Sequence, residues 1–87
     1  MSTLRAMTMD WTAFEPKHGP TPRYRQLAAW ISAAIADGRL GSGDSLPSET
    51  QLADYAGVSV DTVRSAFAVL REQGVIVTSQ GIGSFVA

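Results

Sequence analysis

The chain has 87 residues, enough for one small domain, and its 45% apolar and 17% charged residues are typical of a globular protein. It has no cysteine, a single histidine (His18), no secretory signal and no apolar run near the ~20 residues of a membrane span. We therefore expect a cytoplasmic protein that has no metal, cofactor or membrane partner. The formal net charge of −1 excludes a broadly basic surface, so any contact with nucleic acid must come from a few placed arginines.

Residues 1–19 are predicted to form an N-terminal arm ahead of a domain over residues 20–87. Two prolines and a glycine within residues 16–20 exclude a helix at the end of the arm. Trp11 and Phe14 are three residues apart and can share one face of a helical turn. One interpretation is that they pack onto the domain, as large aromatic side chains usually do. The alternative is that they are exposed with Trp30 and supply a homodimer contact.

The first helix is predicted to begin at Thr21 as N-cap with Pro22 in the first turn, and to end at Gly38. Its apolar residues recur at offsets of 0, 3, 4, 7, 10 and 11, the stripe of a 3.6-residue helix. These residues are Tyr24, Leu27, Ala28, Ile31, Ala34 and Ile35.

A turn over residues 41–44 and a very short strand at 45–46 lead to the second helix. Ser48 and Gln51 fit a capping box, in which each side chain bonds the backbone N–H of the other residue. Gly57 is predicted to end this helix. Its inner face consists of Leu52, Ala53 and Ala56.

The third helix is predicted over residues 59–73. Ser59 is its N-cap, Asp61 suits the positive end of the helix dipole, and Gly74 follows the C-terminus. The apolar positions of this helix are again spaced for one buried face. They are Val63, Ala66, Phe67 and Leu70.

A β-hairpin is predicted at the C-terminus, with strands at 75–78 and 84–87 around a glycine-containing turn at 80–83. The fold class is therefore α+β: three helices, a short strand and a C-terminal hairpin. Two helices joined by a glycine turn are a helix-turn-helix candidate, and the hairpin that follows is its wing. In such a winged helix-turn-helix, the second helix of the motif can place its N-terminal residues in the major groove of DNA.

Several motifs in chain order resemble the GntR family of bacterial transcription regulators. They are 22–27, 35–40, 43–49, Leu52-Ala53, Val58-Ser59, 62–66, Leu70, Gly74 and 81–86. The Pro-x-Tyr-x-Gln opening at residues 22–26 is most similar to the HutC-like branch. The resemblance runs from about residue 20 to the C-terminus. It implies a winged helix-turn-helix that binds double-stranded DNA operators and acts as a transcription regulator, most simply a repressor.

The resemblance also implies where DNA contacts lie. Where the family commonly has an arginine after Pro-Ser-Glu, this chain has Thr50, and where a second arginine commonly follows Val-Ser, it has Val60. The arginine of the family's Thr-Val-Arg motif is present as Arg64. The wing keeps both glycines but has glutamine where a basic residue is common. The matching wing residues are Gln80, Gly81 and Gly83.

Arg64 is the leading candidate for base recognition, because it lies opposite Val63 and Phe67 and suits bidentate donation to guanine O6 and N7. The alternative is a solvated arginine or an intrahelical ion pair with Asp61, whose own simplest role is support of the helix dipole. The further candidates donate to phosphates or touch base edges. They are Ser48, Thr50, Ser59, Val60, Asp61, Thr62, Arg23, Arg25, Gln80, Gly81 and Gly83.

An enzyme is not expected, because Gly81-x-Gly83 lacks a third glycine in register and sits in a hairpin rather than between a strand and a helix. The GntR family usually carries a C-terminal effector-binding and dimerising domain. This chain ends after the wing, so we expect no small-molecule effector domain in it. A second hypothesis remains open: a winged-helix module for protein interaction or DNA architecture, with weak or no specific DNA binding.

Overall fold

The structure, a computed structural model, describes residues 9–87. The elements are a 3-10 turn (Trp11–Ala13), α1 (Arg23–Ala36), α2 (Glu49–Ala56), α3 (Val60–Glu72), β1 (Ile76–Ser79) and β2 (Gly83–Val86). The strands are antiparallel, with Ile76 opposite Val86 and Ser79 opposite Gly83. The predicted three helices and C-terminal hairpin are confirmed.

The caps predicted for α2 and α3 are also confirmed. Ser48 Oγ accepts from the Gln51 N–H at 3.1 Å, and Gln51 Oε1 accepts from the Ser48 N–H at 3.2 Å, which completes the capping box. Ser59 Oγ accepts from the Thr62 N–H at 3.1 Å. Gly57 ends α2 with φ of 69°, a left-handed conformation that glycine adopts without a Cβ clash.

The predicted start of α1 is wrong by one residue. The N-cap is Pro22 rather than Thr21, and it makes no side-chain capping bond. Pro22 is extended, with ψ of 150°, and its carbonyl accepts from the Gln26 N–H at 3.1 Å. Thr21 therefore lies outside the helix, where its carbonyl accepts from Gln26 Nε2 at 2.8 Å.

The strands also differ from the prediction. The hairpin strands lie at 76–79 and 83–86, so each end shifts by one residue. The predicted strand at 45–46 is only an isolated bridge between Ser45 and Phe85. Flanking hydrogen bonds keep this segment beside β2: Gly43 N–H donates to Val86 O at 2.8 Å and Leu46 N–H to Ser84 O at 2.9 Å. The buried Asp44 closes the preceding turn, where its Oδ2 accepts from the Gly41 N–H at 2.8 Å.

One apolar core joins the three helices to the hairpin. The inner faces predicted for α2 and α3 are all buried. The predicted stripe of α1 is also buried except at its two ends, where Tyr24 and Ile35 are half-buried. The core also includes Leu40 and Leu46 from the loop before α2, and Ile76 and Val86 from the hairpin. All three helices and both strands therefore contribute side chains to the core against which the helix-turn-helix packs.

The aromatic residues of the arm pack onto this core. Trp11 and Phe14 are buried, with ring centroids 6.1 Å and 5.6 Å from that of Trp30, which is half-buried. The packing interpretation is confirmed, and the expectation that Trp11 and Phe14 are exposed is wrong, because the three rings bury their apolar faces against one another.

Gln26 holds the segment that follows these aromatics. Its Oε1 accepts from the Lys17 N–H at 2.8 Å, and its Nε2 donates to Lys17 O at 2.9 Å as well as to Thr21 O. This side chain therefore fastens the end of the arm to the first turn of α1.

Candidate nucleic-acid interface

Helices α2 and α3 are joined by the three residues 57–59, and small side chains let them pack closely. Ala53 and Ala56 of α2 are buried, and Val58 is half-buried against the core. The α3 face that packs inward is apolar, so the opposite face is left to solvent. The result is a helix-turn-helix in which the first turn of α3 is accessible.

The first turn of α3 presents hydroxyl groups and little hydrophobic surface. Ser59 is exposed, and its Oγ lies 2.9 Å from Thr62 Oγ1. Thr62 and Val60 are half-buried, and Val60 packs partly against the core. The predicted contact residues of this turn therefore lie together, with Val60 and Thr62 less exposed than Ser59 and Asp61.

Arg64 is the charged centre of the exposed face, as predicted from its position opposite Val63. Its side chain is 58% exposed, and Nη1 lies 3.0 Å from Asp61 Oδ1. Its Nε lies 3.6 Å from Glu49 Oε1, across the helix-turn-helix in the first turn of α2. Exposed ion pairs contribute about 0–1 kcal/mol, so these contacts can be exchanged for others.

Glu49 was not predicted as part of this surface. The sequence offered one signal, its place in the first turn of a helix packed against α3, where a carboxylate also suits the helix dipole. Glu49 is fifteen residues from Arg64 in the sequence. Helical periodicity relates residues three or four apart, so it could not predict this ion pair.

The wing has an exposed glycine-containing tip. Gln80, Gly81 and Ile82 are all exposed, and Ile82 reaches 75%. Gly81 has φ of 80°, and the Ile82 N–H closes the turn on Ser79 O at 3.0 Å. The backbone at Gly81 is therefore accessible at the tip of the wing. The exposed Ile82 side chain lies next to it and was not predicted as part of the site.

One side-chain hydrogen bond joins the wing to the C-terminal end of α3, and a second one lies within the wing. Arg71 Nη1 donates to Thr78 Oγ1 at 3.1 Å, and Thr78 Oγ1 lies 2.9 Å from Ser84 Oγ. Arg71 was also not predicted. It links the two elements that a winged helix-turn-helix presents to DNA.

The remaining candidates lie at two other helix starts. Ser48 and Thr50 are exposed at the start of α2, where the Ser48 hydroxyl is engaged in the cap. Arg23 and Arg25 are exposed in the first turn of α1, and the Arg25 guanidinium lies 5.5 Å from the centroid of the Tyr24 ring. Within residues 9–87, neither arginine side chain makes an ion pair or hydrogen bond with α2, α3 or the hairpin.

Two other properties of residues 9–87 bear on function. No group of three or more histidine, aspartate or glutamate side chains there is placed to hold a metal ion. No helix in the same range has the length and hydropathy to cross a membrane.

The fold and its exposed polar face define a winged helix-turn-helix domain. Residues 23–86 match the family described as "Bacterial regulatory proteins, gntR family". The chain is 41% identical over 81 residues to the HTH-type transcriptional regulator Rv0792c of Mycobacterium tuberculosis (strain ATCC 25618 / H37Rv), covering 93% of this chain and 30% of that protein. It is 36% identical over 75 residues to the Histidine utilization repressor of Klebsiella aerogenes, covering 86% and 31%. The chain thus spans about 30% of the length of the curated relatives it matches.

A solved structure agrees with these relatives. The crystal structure of AraR(DBD) in complex with operator ORX1 superposes with a TM-score of 0.76 at 36% identity, over 82% of this chain and 92% of that chain. The chain belongs to the GntR family of bacterial regulatory proteins.

Proposed function

We propose that this chain is the sequence-specific DNA-binding module of a transcription regulator, a repressor that binds a double-stranded operator. The observation that carries the proposal is the exposed Arg64 beside the hydroxyl-bearing first turn of α3, on the face opposite the buried one. Further support comes from the AraR(DBD) structure, which contains an operator, and from a relative that is named as a repressor.

In this proposal, α3 with its caps (residues 59–73) enters the major groove. Arg64 leaves its surface ion pairs and donates two N–H groups to guanine O6 and N7. Ser59 and Thr62 donate to phosphates or base edges, Val60 touches a thymine methyl group, and Asp61 accepts from a cytosine amino group. These contacts supply the sequence preference.

The part of the wing proposed to contact the adjacent groove is its tip, residues 79–84. Gly81 and Gly83 let the backbone approach a sugar–phosphate strand, and the Gln80 amide donates to it or to a base edge. The helix starts at Ser48 and Thr50 in α2, and the arginines Arg23 and Arg25 in α1, are proposed to contact phosphates. These contacts fix the register of α3 without supplying sequence information.

We further propose that two copies bind a two-fold symmetric operator, in the bacterial cytoplasm where the DNA is. Of the three aromatics first considered for a dimer contact, Trp30 keeps partial exposure, whereas Trp11 and Phe14 are buried. Sedimentation of the chain on one operator duplex separates one bound copy from two. The division into an arm (1–19) and a domain (20–87), and the HutC-like branch suggested by residues 22–26, stay predictions.

The test is a titration of a labelled fragment from the gene's own upstream region, at low and at moderate salt. Arg64→Ala is expected to lose about 1–3 kcal/mol of binding free energy and to relax the preference at one base position. Arg39→Ala is the matched control, because Arg39 is 52% exposed but pairs with Asp37 in the loop after α1. A loss of the same size in both variants would contradict a specific role for Arg64.

One observation favours the second candidate function, a protein-interaction or DNA-architectural module. Arg64 already faces two carboxylates, which leaves little free positive charge on the exposed face of the helix-turn-helix. If the wild-type chain shifts no fragment even at low salt, this second function replaces the first.

A further inference from the structure

Arg64 is held between carboxylates that come from both helices of the motif. Asp61 is one turn before it on α3 and its side chain is 90% exposed, whereas Glu49 approaches from α2 and is 35% exposed. The cluster of Glu49, Asp61 and Arg64 therefore has one positive and two negative charges in the middle of the proposed DNA-binding face.

This arrangement penalises contact with a DNA backbone. A free arginine near a phosphate would release a counterion and bind any sequence, but a paired one must first give up its carboxylates. Once it leaves, both carboxylates are unpaired acceptors close to a polyanion. The phosphate and sugar oxygens of random DNA are also hydrogen-bond acceptors, so random DNA repels the two unpaired carboxylates.

A suitable base pair changes this balance. Guanine O6 and N7 accept hydrogen bonds from the Arg64 guanidinium, and the N4 amino group of a neighbouring cytosine can donate one to a carboxylate. The arginine and the carboxylate that accepts from cytosine then both have partners on the DNA.

We propose that Glu49 and Asp61 are specificity-determining residues of the DNA-binding face: they keep Arg64 from binding random DNA and select operators in which a cytosine adjoins the guanine bound by Arg64. This inference rests on the proposed function. It assigns Glu49 a role beyond helix-dipole support and adds the exclusion of random DNA to the cytosine contact already proposed for Asp61. It predicts that removing the charge of either acid strengthens binding to random DNA and weakens discrimination.

The experiment compares wild type with Glu49→Gln, Asp61→Asn and the double variant, all of which keep side-chain size. Two probes are used: a 30-bp duplex of random sequence, and a duplex that the wild-type chain selects from a randomised pool. Affinity for the random duplex is expected to rise by about two- to fivefold in each single variant, the size of an exposed ion pair. Freeing Arg64 for one more phosphate also steepens the slope of log K against log salt by about 0.9.

Discrimination is the decisive readout. The ratio of affinities for the selected and the random duplex is expected to fall in all three variants. A pool selected by the double variant should lose the cytosine next to the guanine. Thermal unfolding of each variant shows that the comparison is made between folded proteins.

Asp54→Asn is the matched control. Asp54 is exposed on α2, five residues after Glu49, and its side chain has no ion pair within residues 9–87. If this variant raises random-duplex affinity as much as Glu49→Gln does, net charge alone explains the effect and the inference is wrong. An unchanged ratio in the double variant also overturns it while the proposed function stands. A wild-type chain that selects no duplex instead defeats the proposed function itself.

Discussion

The two faces of α3 differ in the interactions that they make: one face packs into the apolar core and the other makes polar contacts at the surface. Val63 is fully buried and its neighbour in sequence, Arg64, has a side chain that is 58% exposed. The buried face consists of apolar contacts that nothing in solution can replace. The exposed face consists of ion pairs and hydrogen bonds that another polar partner can replace. The helix therefore separates stability from recognition, and substitutions on each face should affect one property and spare the other.

The largest effect is expected on the buried face, from Phe67→Ala. Phe67 is 1% exposed and is among the largest fully buried side chains of the described residues. Its truncation should lower the free energy of unfolding by about 3–5 kcal/mol, because it leaves a cavity between the packed elements. Urea denaturation followed by circular dichroism measures this loss. Phe67→Leu, which keeps most of the volume, is the control and should lose clearly less. Equal losses would contradict the cavity as the cause of the destabilisation.

The next effect concerns the turn that sets one helix against the other. Gly57→Ala should destabilise the domain by about 1–2 kcal/mol, because Gly57 has φ of 69° and alanine is strained there. The cost is conformational only, since an added Cβ would meet no heavy atom within 4 Å. Gly57→Asn is the control, because asparagine tolerates this conformation better. A thermal unfolding series in which Asn is no better than Ala would contradict this explanation.

Ser59 caps α3 and is also exposed on the proposed DNA-binding face. Substitutions at this residue can therefore separate an effect on stability from an effect on DNA binding. Ser59→Ala removes the bond to the Thr62 N–H and should cost about 1 kcal/mol of stability. Ser59→Asp restores an N-cap acceptor but places a carboxylate on the proposed DNA-binding face. We expect the aspartate variant to unfold close to wild type and to bind DNA more weakly than the alanine variant does. If affinity follows stability in both variants, Ser59 acts only as a cap.

Much of this architecture follows from local sequence rules. The capping box at Ser48 and the buried stripe of α3 depend on residues three or four apart, so periodicity identified them correctly. The start of α1 was misplaced because Thr21 and Pro22 both suit a helix start. In the structure the Thr21 carbonyl lies outside the helix and accepts from the Gln26 side chain, which also bonds the backbone of Lys17.

The parts that sequence did not predict depend on contacts between distant residues. Glu49 meets Arg64 only after two helices have packed, and Arg71 meets Thr78 only after the hairpin has folded back. The packing of Trp11 and Phe14 was one of two interpretations of the sequence, but their contact with the Trp30 ring was not predicted. Spacing along the chain does not predict contacts between residues so far apart, and Glu49 and Arg71 enter the candidate site only through such contacts.

The smallest change in stability is expected from Arg64→Ala, and it is the sharpest test of the separation between the two faces. The side chain makes only exposed ion pairs, so the free energy of unfolding should change by less than about 0.5 kcal/mol. Urea denaturation without DNA gives this value, and the control is Arg39→Ala, which removes another exposed ion pair. A loss above about 1 kcal/mol would mean that Arg64 fastens α2 to α3. The weaker DNA binding expected of Arg64→Ala would then reflect a displaced helix rather than a missing contact with guanine.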